Sequence, residues 1–419
     1  MSFKQICVLG LGYIGLPLAS LLASKGIQVH GVDIDLEKID LINSGNISFL
    51  ESDLKALVQK VLSQKKLTIS NQIEYADAFI ISVPTPLTEN QEADLSYLEK
   101  AVEDIAPFLQ ENNLIIIEST VPVGTTIYIE EKLKQLRPDL LKNTFSKSLA
   151  LYLAYCPERV FPGKTLFELS KNARIIGGST LQAAEKAKEL YETFIEASIT
   201  ITSAATAEMV KLTENTFRDI NIAFANELAE MCEKLKLNIW EVIKLANAHP
   251  RVQIHEPGPG VGGHCIAVDP YFLMNVLPES TPLIKTARTI NQQRPKKIFK
   301  KIDFLLKQFS QPINVACLGL AFKPNIGDLR NSPALEIVEN LSINFTQHTF
   351  FIVEPYIKSL PESLSIASNV ILSSLELALA KSEIIILLVH HQDWINYPYQ
   401  KLNEKIIFDT RGVWNRLLE

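Results

Sequence analysis

A glycine pattern near the amino terminus restricts the fold of this chain more than any other feature. The apolar run Gln5–Leu9 predicts a buried strand, and the sequence GLGYIG follows it directly at residues 10–15. An apolar stretch at 16–24 predicts a helix, and a second strand at 29–32 ends at Asp33. A strand, a glycine turn, a helix and a strand ending in an acid are typical of a dinucleotide-binding βαβ unit.

Each glycine of this pattern has a physical reason to be there. Gly10 permits the tight turn, Gly12 lets backbone N–H groups approach a pyrophosphate, and Gly15 allows close packing of helix and strand. The helix N-terminus adds a partial positive charge. Asp33 would accept hydrogen bonds from a ribose diol and repel a 2′-phosphate, which favours NAD over NADP. The alternative interpretation is a structural turn of the same shape.

Composition excludes several classes of protein. A chain of 419 residues predicts two or three domains. The net charge of -6 argues against nucleic acid or an anionic membrane as the main partner. Five cysteines without short spacings predict neither a disulfide framework nor a metal site, and indicate a reducing cytoplasm. Glycines and a proline interrupt the apolar amino terminus, and the other apolar runs are too short to span a membrane.

Two further apolar strands end in polar loops marked by prolines. The strand at 78–83 runs into a Pro-Thr-Pro sequence, and the strand at 114–118 runs into STVPVGTT. In an open parallel sheet the ligand lies at the carboxyl ends of the strands. Thr85, Thr120 and Thr126 are therefore candidates to line a cofactor or substrate, and the alternative is that these threonines only cap helices.

The middle of the chain is helical and carries a row of polar side chains. Apolar positions recur at helical spacing over 204–235, and Lys211, Asn215 and Arg218 fall at i, i+4 and i+7 on that helix. Two cations and an amide on one face would suit an anionic substrate and a developing oxyanion. A solvated helix face is the alternative.

A glycine-rich segment follows and presents a cysteine. Residues 257–264 read PGPGVGGH, Cys265 comes directly after them, and Asp269 lies four residues further on. A helix starting near Cys265 would lower the pKa of its thiol, as would Lys211, and would place Cys265 and Asp269 on one face. This context predicts a reactive cysteine, whereas the apolar surroundings of Cys7, Cys232 and Cys317 predict inert, buried thiols.

The carboxy-terminal part repeats the layout of the first domain. Strands are predicted at 313–318, 349–353, 383–389 and 406–409, with a helix from about 332. Positive charge, at Lys323 and Arg330, stands near the first loop in place of the glycine pattern, which suits a nucleoside diphosphate.

These elements predict an α/β protein with two Rossmann-like parallel-sheet domains joined by a central helical region. The expected division is an NAD-binding domain at 1–200, a central region for dimerisation and catalysis at 201–308, and a UDP-sugar-binding domain at 309–419. A helical pattern at 283–305, broken only at Pro295, would act as linker and dimer surface.

Taken together, these residues resemble the UDP-sugar 6-dehydrogenase family over essentially the whole chain. Within the family the sequence looks most like the branch that oxidises UDP-N-acetyl-D-mannosamine for bacterial surface polysaccharides. The motifs that carry the resemblance are CPERV at 156–160, KLTEN at 211–215, FRD at 217–219 running on to NEL at 226–228, HPR at 249–251 and the stretch 257–270.

The resemblance implies a four-electron oxidation of the sugar C6 alcohol to a carboxylate. Two NAD molecules accept hydrides in turn, and a thiohemiacetal and then a thioester form on the cysteine. The implied catalytic residues are Cys265, Lys211, Asn215, Asp269, Glu158 and Thr120. The implied cofactor-binding residues are Gly10, Gly12, Tyr13, Ile14, Gly15, Asp33, Thr85, Thr126 and Arg330. The implied substrate-binding residues are Arg159, Val160, Lys211, Asn215, Arg218, His249, Arg251, Gly262 and Lys323.

The family also implies individual roles for these residues. Lys211 acts in proton transfer or oxyanion stabilisation, Asp269 assists the base or positions water, and Thr120 and Glu158 help to order that water. Arg251 is expected to reach into the neighbouring subunit's site, which implies at least a homodimer.

Some residues depart from the family pattern, and alternatives stay open. UDP-glucose enzymes typically have a second acid shortly after the Pro-Glu pair, whereas VFPG stands at 160–163, which counts against UDP-glucose. Gly327 replaces a frequent acid, and Arg411 lies in a variable tail. The nearest rival is a UDP-N-acetylglucosamine 6-dehydrogenase, which differs in the C2 epimer. Rivals of other classes are a two-electron hydroxyacid dehydrogenase that does not use Cys265, and a UDP-sugar-binding regulatory protein without chemistry.

Overall fold

The computed structural model describes residues 3–47, 51–141, 149–160, 163–402 and 404–414. Over these residues the chain forms two compact units. The first comprises residues 1–213 together with 271–276, and the second comprises 214–270 together with 277–419. Phe161 and Pro162 of the VFPG departure lie outside the described residues.

The first unit is built on an eight-stranded sheet in the order β3-β2-β1-β4-β5-β6-β7-β8. All neighbouring strands are parallel except β6 and β7, which are antiparallel. No pattern in the sequence predicts this reversal. The strands are β1 Gln5–Leu9, β2 Gln28–Val32, β3 Leu67–Ser70, β4 Ala78–Ile81, β5 Leu114–Ile117, β6 Tyr152–Tyr155, β7 Arg174–Gly178 and β8 Ile199–Ser203.

Helices cover both faces of this sheet. Alternate residues of β1 enter two different apolar cores, one completed by α1, α3 and α7 and the other by α4 and α5. Strands buried on both faces explain why the sequence reads as short, continuous apolar runs. The helices are α1 Gly15–Ser24, α2 Leu36–Asn43, α3 Ser52–Ser63, α4 Ser96–Ile105, α5 Thr125–Leu136, α6 Thr165–Lys171 and α7 Leu181–Tyr191.

The second unit contains a five-stranded, fully parallel sheet in the order β11-β10-β9-β12-β13. This order is the same as β3-β2-β1-β4-β5 of the first unit, so the predicted repeat of a Rossmann-like layout is confirmed. The strands are β9 Asn314–Leu318, β10 Thr349–Val353, β11 Val370–Leu372, β12 Ile384–Leu387 and β13 Ile406–Asp409.

The remaining helices form the central region and cover the second sheet. The 32-residue α8 begins in the first unit and continues into the second. The predicted break at Pro295 is wrong, because α11 runs without interruption for 25 residues with Pro295 buried inside it. The helices are α8 Ala204–Leu235, α9 Ile239–Ala246, α10 Asp269–Val276, α11 Pro282–Leu306, α12 Pro333–Asn344, α13 Glu362–Ser365, α14 Leu375–Lys381 and α15 Gln392–Ile395.

The predicted fold class is therefore confirmed: two Rossmann-like parallel-sheet domains and a central helical region. The three-part division at 200 and 308 stays a prediction. Across the residues that the structure describes, no helix combines the length and apolarity needed to cross a membrane. Within those same residues, no cluster of His, Cys, Asp and Glu side chains is arranged to hold a metal ion.

Candidate active site

The glycine loop after β1 has the geometry that a dinucleotide requires. Gly10 is left-handed with φ of 86°, and a Cβ there would lie 2.2 Å from the backbone oxygen of Ser82. A Cβ on Gly15 would lie 1.8 Å from the Gly10 carbonyl oxygen. A Cβ on Gly12 would meet open space among the described residues. Since no side chain of the described residues caps α1, the loop leaves room and partial positive charge for a pyrophosphate.

Asp33 lies at the end of β2 and is tied to this loop. Its carboxylate accepts hydrogen bonds from the Leu11 N–H at 2.8 Å, the Asp35 N–H at 3.0 Å and the Lys38 Nζ at 2.9 Å. Burial raises the pKa of the Asp33 carboxyl, but these three donors together outweigh burial and hold the pKa below its usual value. Asp33 is therefore a fixed anion beside the glycine loop, as a ribose-binding acid should be.

Tyr13 connects the glycine loop to Glu51 and to the loop at Gly163. The sequence alone did not predict this connection. The Tyr13 hydroxyl donates to Glu51 Oε1 at 2.5 Å and accepts from the Gly163 N–H at 2.8 Å. The buried Glu51 also accepts hydrogen bonds from Thr165. Burial, and then the bond to Glu51, raise the pKa of Tyr13. Ile14 occupies the N-cap position of α1, where it follows this anchor directly.

The predicted threonines link the loops that follow β4 and β5 to other parts of the first unit. Thr85 donates its hydroxyl to the Thr120 carbonyl oxygen at 2.6 Å, which joins the two loops. Thr126 donates both its hydroxyl, at 2.6 Å, and its N–H, at 2.8 Å, to Glu208. Glu208 also accepts from the Gly124 N–H at 2.6 Å, so a carboxylate caps the N-terminus of α5.

Sequence reasoning missed Glu208, although a signal for it was present. Glu208 lies on α8 three residues before Lys211, so helical spacing places it on the same face as the predicted row. It is fully buried, and burial raises the pKa of its carboxyl against the hydrogen bonds from Thr126 and Gly124. Thr126, which was expected to face the cofactor, is thus also a hydrogen-bond partner of Glu208.

Lys211 is held by the segment that carries Glu158. Its Nζ donates to the Glu158 carbonyl oxygen at 2.7 Å and lies 3.9 Å from the Glu158 carboxylate. Lys211 is only 6% exposed, so its ammonium is directed by these contacts rather than by water. The Glu158 carboxylate also accepts from the Val160 N–H. Arg159 donates Nη1 to the Ala173 carbonyl oxygen at 3.0 Å.

A cluster of buried polar side chains contacts the segment that carries Glu158. Arg174, at the start of β7, donates Nη1 to the Pro157 carbonyl oxygen at 3.0 Å. Burial raises the pKa of Glu118 to about 7, although the Arg174 charge and a hydrogen bond from Tyr191 oppose this effect. Burial likewise raises the pKa of the Cys156 thiol to about 12, which makes it an inert neighbour. The sequence contained no periodic signal for this cluster.

In the second unit, Asn215 and Asp269 form a buried pair. The Asn215 Nδ2 donates to Asp269 Oδ2 at 2.5 Å. The helix that was expected to start near Cys265 starts instead at Asp269. The Cys265 carbonyl oxygen accepts from the Val268 N–H at 2.9 Å and the Asp269 N–H at 2.8 Å, so residues 265–268 form a turn leading into α10. Pro270, which has no N–H, suits the first turn of that helix.

The charges of two guanidinium groups interact electrostatically with Cys265. Burial lowers the pKa of Arg218, and the interaction with Cys265 opposes that shift. Hydrogen bonds to Asp328 raise the pKa of Arg330, and Cys265 adds a smaller contribution in the same direction. Cys265 is the one partly exposed cysteine of the five, all of which are described. Cations beside a thiol favour the thiolate.

The remaining predicted positions lie on loops of the second unit. Lys323 is half-buried in the loop after β9, and His249 and Arg251 are exposed after α9, where the Arg251 N–H donates to His249 Nδ1 at 3.3 Å. Gly262 has a steric role, because a Cβ there would lie 2.4 Å from the Asn331 carbonyl oxygen. The binding roles of these residues stay predictions.

Two of the departures from the family pattern have local explanations. A Cβ on Gly327 would lie 2.2 Å from the Tyr356 carbonyl oxygen, so any other residue would require the backbone to shift. Arg411 donates Nε to His390 Nδ1 at 3.0 Å and Nη1 to the Pro257 carbonyl oxygen at 3.3 Å. Arg411 therefore contacts the start of the glycine-rich segment that leads to the cysteine.

The second Rossmann-like layout contains its own counterpart of Asp33. Glu354 follows β10 and accepts from the Leu320 N–H at 2.8 Å, as Asp33 accepts from the loop after β1. His391 Nδ1 accepts from the Asn325 N–H at 2.8 Å, so its Nε2 carries the proton and donates to Glu354 at 3.1 Å. Both side chains are fully buried. The Glu354 side chain is therefore 0% exposed and held by donors of the protein, and the Asp33 side chain is similarly buried at 5%.

Comparison with known proteins decides the family. The family model of the UDP-glucose/GDP-mannose dehydrogenases matches in three parts: its NAD binding domain at 4–195, its central domain at 205–293 and its UDP binding domain at 316–416. The chain belongs to the UDP-glucose/GDP-mannose dehydrogenase family. The predicted family, the dehydrogenase activity and the use of NAD are thereby confirmed.

Individual relatives of this dehydrogenase match over nearly its full length. An NDP-N-acetyl-D-galactosaminuronic acid dehydrogenase of Ralstonia nicotianae is 47% identical over 99% of this chain and 97% of its own. A UDP-N-acetyl-D-mannosamine dehydrogenase of Campylobacter jejuni is 48% identical over 96% of this chain and 98% of its own. The solved structure of a UDP-D-ManNAc dehydrogenase from Pyrococcus horikoshii has a TM-score of 0.87 at 39% identity, covering 98% of this chain and 96% of that one.

The position of Asp33 predicts the cofactor preference of the dehydrogenase. We expect Asp33→Ala to lower the ratio of kcat/KM for NAD over NADP by about tenfold or more, because a like-charge repulsion worth ~1.4 kcal/mol or more disappears. The same change releases Lys38 from its ion pair as a partner for a 2′-phosphate. Steady-state kinetics with both cofactors measure the ratio. Asp40→Ala, on the exposed face of α2, is the control, and an unchanged ratio in Asp33→Ala would remove Asp33 from the ribose.

Proposed function

We propose that this dehydrogenase oxidises the C6 alcohol of UDP-N-acetyl-D-mannosamine to a carboxylate, with Cys265 as covalent nucleophile. The observation that carries the proposal is the environment of Cys265. It is the partly exposed cysteine of the chain, it interacts with Arg218 and Arg330, and it follows a tightly packed glycine-rich segment. A dehydrogenase that removed only one hydride would have no use for an activated thiol.

The proposed reaction assigns a separate role to each group of candidate residues. The glycine loop and Asp33 would hold NAD, which would supply the hydride acceptor for each of the two oxidations. Lys211, directed by the Glu158 carbonyl oxygen, takes part in proton transfer at the C6 oxygen or stabilises its negative charge. The Asn215 amide, held by Asp269, supplies a donor of fixed orientation.

Cys265 performs the covalent steps. Its thiolate attacks the aldehyde carbon, a C–S bond forms, and the carbonyl oxygen takes a proton to give a thiohemiacetal. Removal of the second hydride, with loss of the hydroxyl proton, leaves a thioester. Water then attacks the carbonyl carbon, the C–S bond breaks, and the carboxylic acid and the thiol are released. Asp269, with Glu158 and Thr120, is proposed to position that water or to accept its proton.

Two sugars have support as the substrate. Relatives named for UDP-N-acetyl-D-mannosamine, at 44–48% identity, favour that sugar. A role in bacterial surface polysaccharide synthesis is what the family resemblance implies. The Ralstonia relative at 47% identity supports an N-acetylgalactosamine nucleotide as second candidate. One stereocentre is worth only ~1–3 kcal/mol of discrimination, so overall identity does not separate these sugars.

The decisive experiment counts NADH per sugar. Limiting UDP-N-acetylmannosamine is incubated with excess NAD, and the UDP derivatives of N-acetylgalactosamine, N-acetylglucosamine and glucose are run alongside. We expect two NADH per UDP-N-acetylmannosamine and slow or no reaction with the others. A yield of one would contradict the thioester mechanism, and two NADH from another sugar alone would reassign the substrate.

We also propose that the dehydrogenase is a homodimer formed through α8. Phe217, Phe224 and Met231 are spaced seven residues apart and are 60%, 49% and 51% exposed, so they form one apolar stripe on the second unit. A stripe of this kind can pack against its own copy about a twofold axis. The exposed Arg251 is free to approach a neighbouring subunit, as the family resemblance implies.

Charge in the middle of this stripe should dissociate the dimer. We expect Phe224→Glu to be monomeric at micromolar concentration, because two buried carboxylates would face each other across the axis. Sedimentation velocity measures the mass. Leu245→Glu, which changes a 65% exposed leucine of α9 outside the stripe, should stay dimeric. A dimeric Phe224→Glu protein would place the interface elsewhere.

A further inference from the structure

Two buried side chains hold the peptide groups of Gly258, at the start of the segment that leads to Cys265. The Gly258 N–H donates to Asn226 Oδ1 at 3.0 Å, and the Arg294 Nε donates to the Gly258 carbonyl oxygen at 3.0 Å. Residues 252–262 form neither helix nor strand. Side chains of α8 and α11, rather than a backbone ladder, therefore determine where this segment starts.

The orientation of the Asn226 amide is determined by a row of buried groups behind it. Because its oxygen accepts from Gly258, its nitrogen must donate, and it does so to Asn291 Oδ1 at 3.1 Å. The Asn291 nitrogen in turn donates to Asp219 Oδ1 at 2.9 Å. Arg288 Nη1 donates to the same Asp219 oxygen at 2.6 Å. We call Asp219, Asn291 and Asn226 the amide relay.

The far end of the segment is held as well. The Gly263 N–H donates to the Arg330 carbonyl oxygen at 3.1 Å, and Asn331 Nδ2 donates to the Gly263 carbonyl oxygen at 3.3 Å. A Cβ on Gly263, whose φ is 81°, would lie 2.6 Å from the Phe322 ring. Cys265 thus follows a segment that is anchored at residues 258 and 263, and its own position depends on both anchors.

The amide relay also aligns this segment with the helix that carries substrate-binding candidates. Asp219 of the relay directly follows Arg218 on α8, and Arg218 interacts with Cys265. One turn of α8 therefore contributes a cation to the cysteine and, at the next residue, the acid that orients the relay. This arrangement sets the cysteine relative to Asn215 and Arg218 on one rigid element.

We propose that Asn226 and Arg294 are positioning residues that place Cys265 for capture of the aldehyde, so that their loss uncouples the first oxidation from the second. The inference rests on the proposed function. Attack on the aldehyde requires the thiolate within ~3–3.5 Å of the carbon, and a displacement of about 1 Å can cost about 10²-fold in rate. Removal of the first hydride does not use the thiol. A displaced Cys265 would therefore let the aldehyde leave, with water adding to its carbonyl to form the hydrate.

The test uses substitutions that keep size but change hydrogen bonding. Asn226→Asp retains an acceptor for Gly258 but cannot donate to Asn291, and Arg294→Lys loses the Nε donor. Asn340→Asp is the matched control, because Asn340 is exposed on α12 and its amide donates only to the Glu336 carbonyl oxygen among the bonds found there. Circular dichroism and the thermal midpoint show whether each variant is folded.

The readouts are NADH per limiting nucleotide sugar and aldehyde trapped as its oxime with hydroxylamine, identified by mass. We expect the yield to fall from two towards one in Asn226→Asp and Arg294→Lys, with about tenfold or more oxime than in the wild type. The control should keep a yield of two. A variant at either position that is folded, yields two NADH and releases no extra aldehyde would overturn the inference. A wild-type yield of one would instead mean that the proposed function has failed.

Discussion

Cys265→Ser should stop the reaction at the aldehyde. We expect the rate of acid formation to fall by about 10³-fold or more, because a serine hydroxyl does not ionise at neutral pH and attacks carbonyls far more slowly than a thiolate. The first hydride transfer should continue, so NADH per sugar should fall from two towards one. Stopped-flow absorbance of NADH and mass analysis of the products separate the two oxidations.

The matched control is another cysteine of the same unit. Cys232 lies buried on α8, so Cys232→Ser tests the loss of a thiol away from the proposed chemistry, and two NADH per sugar should still form. Turnover by Cys265→Ser at the wild-type rate and with the wild-type yield of NADH per sugar would contradict the covalent mechanism. That result would favour a two-electron dehydrogenase that does not use the thiol.

Lys211→Met should reduce kcat by about 10²–10⁴-fold, the range expected when a group acting in proton transfer is removed. Methionine keeps the length of the side chain but removes the ammonium that the Glu158 carbonyl oxygen holds. The loss of that buried donor should also lower the free energy of unfolding by about 1–3 kcal/mol. Steady-state kinetics and denaturant unfolding measure the two effects separately.

Lys211→Arg distinguishes the two roles that are proposed for this residue. Arginine retains the positive charge but does not give up its proton, so recovery of most of the activity would indicate charge stabilisation rather than proton transfer. Lys234→Met, at an exposed position of the same helix, controls for the loss of one lysine. Activity of Lys211→Met equal to the wild type would exclude Lys211 from the chemistry.

The fold could be predicted because its signals are local. Apolar runs of four or five residues mark β1, β4, β5 and β12, and buried parallel strands require that pattern. The glycine loop could be predicted for the same reason, since Gly10 adopts a left-handed φ and Gly15 avoids a clash with the nearby Gly10 carbonyl oxygen. Cys265 could be predicted as a reactive cysteine from its immediate neighbours in the sequence. The placement of Lys211, Asn215 and Arg218 on one helix face could be predicted from their spacing.

The partners of these residues could not be predicted in the same way, because they lie far away along the chain. Thr126 meets Glu208 across 82 residues, Tyr13 meets Glu51 across 38, and Asn226 meets Gly258 across 32. Periodicity and short spacings in the sequence do not show which distant residues meet, since those contacts depend on how the helices and strands pack.

Tertiary structure also corrected local expectations. α10 begins at Asp269 rather than near Cys265, because the preceding residues form a separate turn, and α11 continues through Pro295. The sequence by itself determined the two Rossmann-like layouts, the glycine loop and the candidate nucleophile, since each depends on neighbours in the chain. Only the tertiary structure decided which side chains hold them in place, because hydrogen bonds between distant segments form only when those segments are packed together.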